Sequence, residues 1–119
     1  MNLSESLLVH ELRPTPTNRT QFAWSNFKNM PEESGCYVLT NFVGAVLYVG
    51  QATSSMRDRF CAHLETNEKR ALSHLGVPYW CYYLLYEQNK VGSVEQGWLN
   101  QSLLKTGNRP VLNKIDAPT

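Results

Sequence analysis

Two tyrosines, an arginine, a histidine and a glutamate are the side chains of this 119-residue sequence whose types and spacing could do chemistry. Tyr37 lies in the β-rich run Gly35-Cys36-Tyr37-Val38-Leu39-Thr40 and Tyr48 in the run Ala45-Val46-Leu47-Tyr48-Val49-Gly50, with turn residues from Asn41 to Gly44 between them. That pattern predicts a hairpin. With a four-residue loop Thr40 pairs with Ala45, and counting back along the ladder sets Tyr37 directly opposite Tyr48. Opposed residues share a face with Cβ atoms about 4.5 to 5.5 Å apart, so two phenols come together. Arg59 and His63 stand four apart on the helix that follows and point the same way. Phenols and imidazoles hold protons, a guanidinium grips an anion through a forked pair of donors, and a carboxylate such as Glu95 takes a cation. The three cysteines offer less. Cys36, Cys61 and Cys81 include no Cys-x-x-Cys pair and no His spacing suited to zinc, and no neighbouring base marks one as a nucleophile, so they are expected as reduced thiols in or near the core.

The elements that must position these groups can be read from caps and periodicity. Ser55 with Asp58 opens a helix that carries Met56, Phe60 and Leu64 on one buried stripe. The run Tyr79 to Tyr86 is expected as the central strand of a sheet. Ser93 with Gln96 predicts the N-cap of a second main helix, running to about Lys105, with Gly107 as C-cap, Pro110 as stop and Glu95 in the first turn, where the helix dipole favours the ionised acid. A short helix is expected over 68–75, ended by Gly76, and the stretch from Val111 to Ile115 adds a short strand or a tethered loop. Residues 1–30 are expected as a helical, peripheral N-terminal extension. Arg13-Pro14-Thr15-Pro16-Thr17 interrupts it, and Phe22, Trp24 and Phe27 pack on the domain at 31–119. The fold class is α/β in the α+β sense: a small mixed or antiparallel three-stranded central sheet flanked by helices.

Length and 42% apolar content suit one domain with one modest core. No stretch approaches the roughly 18 to 20 apolar residues of a membrane span, and the start Met1-Asn2-Leu3-Ser4-Glu5 lacks signal-peptide character, so a cytoplasmic, non-exported protein is expected. A formal charge of +1 excludes a surface that binds polyanions everywhere. A nucleic-acid site would have to be a local patch, or be supplemented by a second subunit or a partner protein.

Gly35-Cys36-Tyr37 followed by Tyr48-Val49-Gly50 resembles the paired signature of the GIY-YIG nuclease superfamily. Arg59 and His63 after the hairpin, Glu95 in a later helix and Asn113 shortly after a proline follow in the family's order, so the resemblance runs from Gly35 to Asn113. Taken singly, each has an ordinary structural account as sheet packing, dipole pairing or a solvated helix face. Their order along the chain carries the resemblance. Four positions depart from the pattern: Cys36 replaces the usual isoleucine, Val49 replaces an isoleucine as a routine variant, Gln51 stands where some members carry lysine, and Arg59 comes one residue later after the glycine than in several relatives.

The resemblance implies a DNA endonuclease that hydrolyses phosphodiesters with one divalent cation, Mg²⁺ or Mn²⁺. Glu95 would hold the metal, since a single carboxylate suits an ion that keeps most of its waters. Arg59 would oppose the charge of the transition state. Tyr37 or Tyr48 would orient the attacking water, with Tyr37 the better candidate for general base and His63 a relay. Asn113 would hold the glutamate or a tyrosine by hydrogen bonds. Gln51, Arg57, Arg59, Lys69, Arg70 and Lys114 would contact DNA, with Lys28 on the same basic rim. The second reading is a catalytically inactive module of this fold that binds nucleic acid or protein.

Overall fold

Four stretches of the chain pair into one antiparallel sheet: β1 (Asn18–Gln21), β2 (Gly35–Thr40), β3 (Val46–Ala52) and β4 (Trp80–Leu85), in the spatial order β1-β4-β2-β3. The computed structural model describes residues 6–66 and 72–113. Two helices, α1 (Met56–Glu65) and α2 (Val91–Thr106), cover its opposite faces. β2 is buried along its whole length because β3 and β4 flank it and a helix covers each face, which explains its uninterrupted apolar reading. Alternation divides its side chains. Tyr37 and Leu39 join Met56, Phe60 and Leu64 of α1, while Cys36 and Val38 join Val91, Trp98 and Leu99 of α2.

Both signature glycines stand where a side chain would not fit. A Cβ on Gly35 would lie 2.4 Å from the Leu84 carbonyl oxygen and 2.9 Å from the Met56 sulfur, so its absence lets α1 and β4 close on the hairpin. A Cβ on Gly50 would lie 2.6 Å from the Tyr37 ring and hydroxyl and 2.8 Å from the Tyr48 ring.

The sheet has four strands, not the expected three, and among the described residues 6–30 the helical content is limited to 3-10 segments, including Trp24–Asn29, in a stretch that joins the core instead of lying at the periphery. Val9–Glu11 is a single 3-10 turn, and β1 pairs with β4 through Thr20 and Cys81. Leu7, Val9 and Leu12 lie in the core on the α2 side, and Phe22 and Met30 lie in the core on the α1 side. Phe22 meets Phe60 edge-on at 5.4 Å, whereas Trp24 stays largely exposed. The strand forms because β4 would otherwise present an unpaired edge.

Two helix boundaries test the capping argument. α1 starts as expected: the Ser55 hydroxyl accepts a hydrogen bond from the Asp58 backbone N–H at 3.2 Å. The remaining N-terminal donors find carbonyls of the preceding loop, Met56 N–H to Glu33 and Arg57 N–H to Pro31. α2 starts earlier than Ser93 implies, because Lys90 already has helical dihedrals and the Ser93 hydroxyl donates back to the Lys90 carbonyl instead of capping. Its other end is the expected one, with Gly107 left-handed at φ 81°. Glu95 consequently sits beyond the first turn, and the dipole does not account for it.

The short helix expected over 68–75 falls partly outside the described residues, while Ser73 to Gly76 form a turn closed by paired backbone hydrogen bonds. The tail from Val111 to Asn113 is a tethered loop, with Leu112 N–H bound to the Leu47 carbonyl. Among the described residues no helix is long and apolar enough to cross a membrane.

Candidate active site

Tyr37 and Tyr48 do share a face, by a different register from the expected one. The hairpin pairs Thr40 with Val46, Leu39 with Tyr48 and Tyr37 with Gly50. Asn41 causes the first shift: its side-chain oxygen accepts from the N–H groups of Val43 and Ala45 and its own N–H binds the Ala45 carbonyl, which tightens the loop and lets Ala45 bridge to Leu8. A bulge that leaves Leu47 unpaired makes the second. Two one-residue shifts preserve facing, so Tyr37 meets Tyr48 on the diagonal with ring centroids 6.2 Å apart. Gly50 opposite Tyr37 leaves the room into which both rings lean.

α1 completes this side of the site. Phe60 and Leu64 seat the helix, and that seating turns the buried His63 onto the phenols. The Tyr37 hydroxyl lies 2.5 Å from His63 Nε2, and the imidazole meets the Tyr48 ring edge-on at 5.0 Å. Arg59, one turn earlier, is exposed to solvent, and its guanidinium acts electrostatically on both Tyr37 and Tyr48.

Burial decides what the phenols can do. Tyr37 is 2% exposed, and desolvation, reinforced by Tyr48 and opposed by Arg59, holds its pKa well above the ordinary phenol value. It therefore keeps its proton, shares a hydrogen bond with His63 Nε2 and is closed off from the surface. The expectation that Tyr37 is the general base does not survive this geometry. Tyr48 is half-buried; desolvation raises its pKa first, with Arg59 opposing and Glu95 adding, and its ring lies beside that of Tyr37. Tyr48 is the phenol that can meet a substrate water.

Tyr37 carries a pH signature. Removing its hydroxyl leaves buried His63 without that partner, so Tyr37→Phe is expected to lose about 1–3 kcal/mol at pH 8. A folded pKa above the unfolded value means that stability present below about pH 10 is lost as pH rises further, since the unfolded chain then releases a proton that the native state retains. The gap between wild type and Tyr37→Phe in urea denaturation should narrow above pH 10. A gap that widens there would contradict the assignment.

Glu95 approaches from the other helix. Gln51 Nε2 donates to its Oε1 at 3.0 Å, and Gln51 lies beyond Gly50 on the α2 face of β3. Desolvation raises the carboxyl pKa, while Arg109, Arg59 and the Gln51 bond act against it. Glu95 in turn acts on Tyr48, so acid, guanidinium and accessible phenol share one electrostatic neighbourhood across the end of the hairpin. Arg109 escaped the sequence argument; its one available signal was a cation directly before Pro110, upstream of Asn113. The donor set suits one particular kind of metal. Among the described residues no three His, Cys, Asp or Glu side chains form a cluster able to hold an ion, and a single half-buried carboxylate fits Mg²⁺, which keeps waters and takes substrate oxygens.

Other expected contacts fall elsewhere. Asn113 holds neither the glutamate nor a tyrosine: its Oδ1 accepts from the Val49 N–H at 2.8 Å and its Nδ2 donates to the Val49 carbonyl at 2.9 Å. β3 is an edge strand, and this amide satisfies the edge beside Tyr48. Arg57 is occupied by the Met30 and Lys28 carbonyls and by Glu32 at 3.3 Å, so it binds the loop before β2 to α1 and is not a free phosphate contact. Lys69, Arg70 and Lys114 lie outside the described residues. No thiol is activated: burial pushes Cys36 up to about 12 and raises Cys81 and Cys61 as well.

The sequence matches no family model and no curated protein sequence. Among solved structures the chain is similar to the GIY-YIG N-terminal endonuclease domain of UvrC from Thermotoga maritima bound to its catalytic magnesium. The TM-score is 0.56 at 17% identity, over 75% of this chain and 92% of that one. A point mutant of the same domain with one tyrosine changed to phenylalanine, bound to its catalytic divalent cation, gives a TM-score of 0.57 at 17% identity, over 76% of this chain and 93% of that one. A second tyrosine-to-phenylalanine mutant gives 0.56 at 16% identity, over 75% and 92%.

Proposed function

We propose that this chain, which has the fold of a GIY-YIG endonuclease domain, is a metal-dependent endonuclease that hydrolyses DNA phosphodiesters. The observation that carries the reading is the convergence of Tyr48, Tyr37 and His63 in one cluster, joined by the Tyr37–His63 hydrogen bond and ring contacts, with Arg59 and Glu95 in its electrostatic reach. The similar UvrC domain is an endonuclease domain bound to a catalytic magnesium, which supports the same class of chemistry here.

Arg59 grips a non-bridging phosphate oxygen and opposes the charge that builds on the pentavalent phosphorus. Tyr48 accepts a hydrogen bond from the attacking water and orients it. As the water oxygen bonds to phosphorus, its proton is drawn off through the Tyr48, Tyr37 and His63 cluster, with His63 taking up one proton in all; the bond from phosphorus to the leaving sugar oxygen breaks, and that oxygen takes a proton from solvent. Both phenols begin and end neutral, which suits groups whose ionisation burial opposes. Glu95 is the residue that would hold the divalent cation, which supplies positive charge at the phosphate and the leaving oxygen.

Supercoiled plasmid incubated with the purified chain should be nicked or linearised in Mg²⁺ or Mn²⁺ and left intact after chelation. Cutting that survives complete chelation would overturn the metal-dependent reading. DNA retention with no cutting in either metal would favour a binding module instead.

A further inference from the structure

Cys36 and Gln51 stand opposite each other on the hairpin. They are direct partners across β2 and β3, and their side chains lie on the α2 face. The Cys36 thiol donates to the Val91 carbonyl at 3.2 Å, and the Gln51 amide donates to Glu95 Oε1 at 3.0 Å. Val91 and Glu95 are one turn apart on α2, so one rung of the hairpin grips two successive turns of the helix. The next rung is Tyr37 with Gly50, facing the other way into the phenol cluster.

We propose that Gln51, registered by Cys36, is a positioning residue that fixes the Glu95 carboxylate for a divalent cation without neutralising it. The inference rests on the cation reading given above. An amide satisfies one carboxylate oxygen and restricts the side-chain rotamer, yet adds no charge, so the attraction for a cation is retained. An ammonium at position 51 would meet the same carboxylate as a competitor, so a lysine there would weaken cation binding in this chain. The thiol contributes less, as a weak donor, by holding the helix at the turn before Glu95.

Mn²⁺ titrated calorimetrically into the full chain tests the clasp without reference to cleavage. Gln51→Leu is expected to raise the Kd about ten-fold, in the range found when groups supporting a metal ligand are removed, with the melting temperature little changed. Gln51→Lys should weaken binding at least as much. Cys36→Ser, which keeps a donor, should stay closer to wild type than Cys36→Val. Wild-type affinity in both Gln51→Leu and Gln51→Lys, with binding lost in Glu95→Ala, would overturn the clasp and leave the cation reading standing. Wild-type affinity in Glu95→Ala, or no binding to the wild-type chain, would overturn both.

Discussion

Arg59→Ala is expected to cut plasmid about 10²- to 10³-fold more slowly than wild type, the loss typical when one preorganised donor to a transition-state charge is removed. The expectation follows from placement. Arg59 acts electrostatically on both phenols, and it remains accessible to a phosphate. Its interaction with Tyr37 favours the guanidinium most, desolvation opposes it, and Tyr48 adds to it. Arg59→Lys keeps the charge and loses the fork, so it should recover only a small part of the rate. Arg57→Ala is the matched control two residues away. Its guanidinium is committed to two carbonyls and Glu32, so the change should lower thermal stability and leave the cutting rate of the folded fraction within a few-fold. Nicking rates measured at several protein concentrations separate the two cases. Wild-type cutting by Arg59→Ala would remove the guanidinium from the mechanism and leave the phenol cluster as packing.

The sequence made the hairpin, α1 and the end of α2 legible because each depends on local chemistry: β-branched and aromatic runs, the Ser55 hydroxyl, and a left-handed glycine at 107. The shared face of the tyrosines was legible as well, since period-two alternation survives an even number of one-residue shifts. Their register was not, because it turns on which backbone donors the Asn41 side chain takes and on the bulge at Leu47. β1 was hidden for a related reason. Asn18-Arg19-Thr20-Gln21 buries only Thr20 and carries no apolar alternation; it becomes a strand through the hydrogen bonds that β4 offers. The start of α2 was misplaced because Ser93 and Gln96 imitate a capping box, while contacts from distant residues, such as the Cys36 thiol at the Val91 carbonyl, hold the earlier turn. Asn113 was legible as a residue of consequence, and its partner was not: an amide that binds a strand edge and one that orients a catalytic side chain look alike until the sheet order is known. The same blindness hid the choice between phenols, since only burial separates Tyr48 from Tyr37.

Gly50→Ala should be among the most damaging single-methyl additions this fold can receive. Its Cβ would enter 2.6 Å from Tyr37 Cζ and Oη and 2.8 Å from Tyr48, and neither ring is free to withdraw. Tyr37 is held by His63 Nε2 and by the core around Met56 and Phe60, and Tyr48 is wedged against the same imidazole. Overpacking of this kind costs about 2–3 kcal/mol, which for a domain of this size lowers the melting temperature by roughly 10 °C. The same change at Gly97, inside α2 with nothing within 4 Å of its Cβ, should instead stabilise the chain by about 0.5–1 kcal/mol, because alanine is the better helix residue. The pair of variants therefore separates the steric argument from any general intolerance of alanine. If Gly50→Ala melts with Gly97→Ala at or above wild type, the rings do not occupy the space over β3, and the proposed proton path through Tyr48, Tyr37 and His63 loses its structural basis. If instead Gly50→Ala retains a folded fraction, that fraction should cut DNA poorly even at low temperature, since the phenols can admit the methyl only by leaving His63 and Arg59.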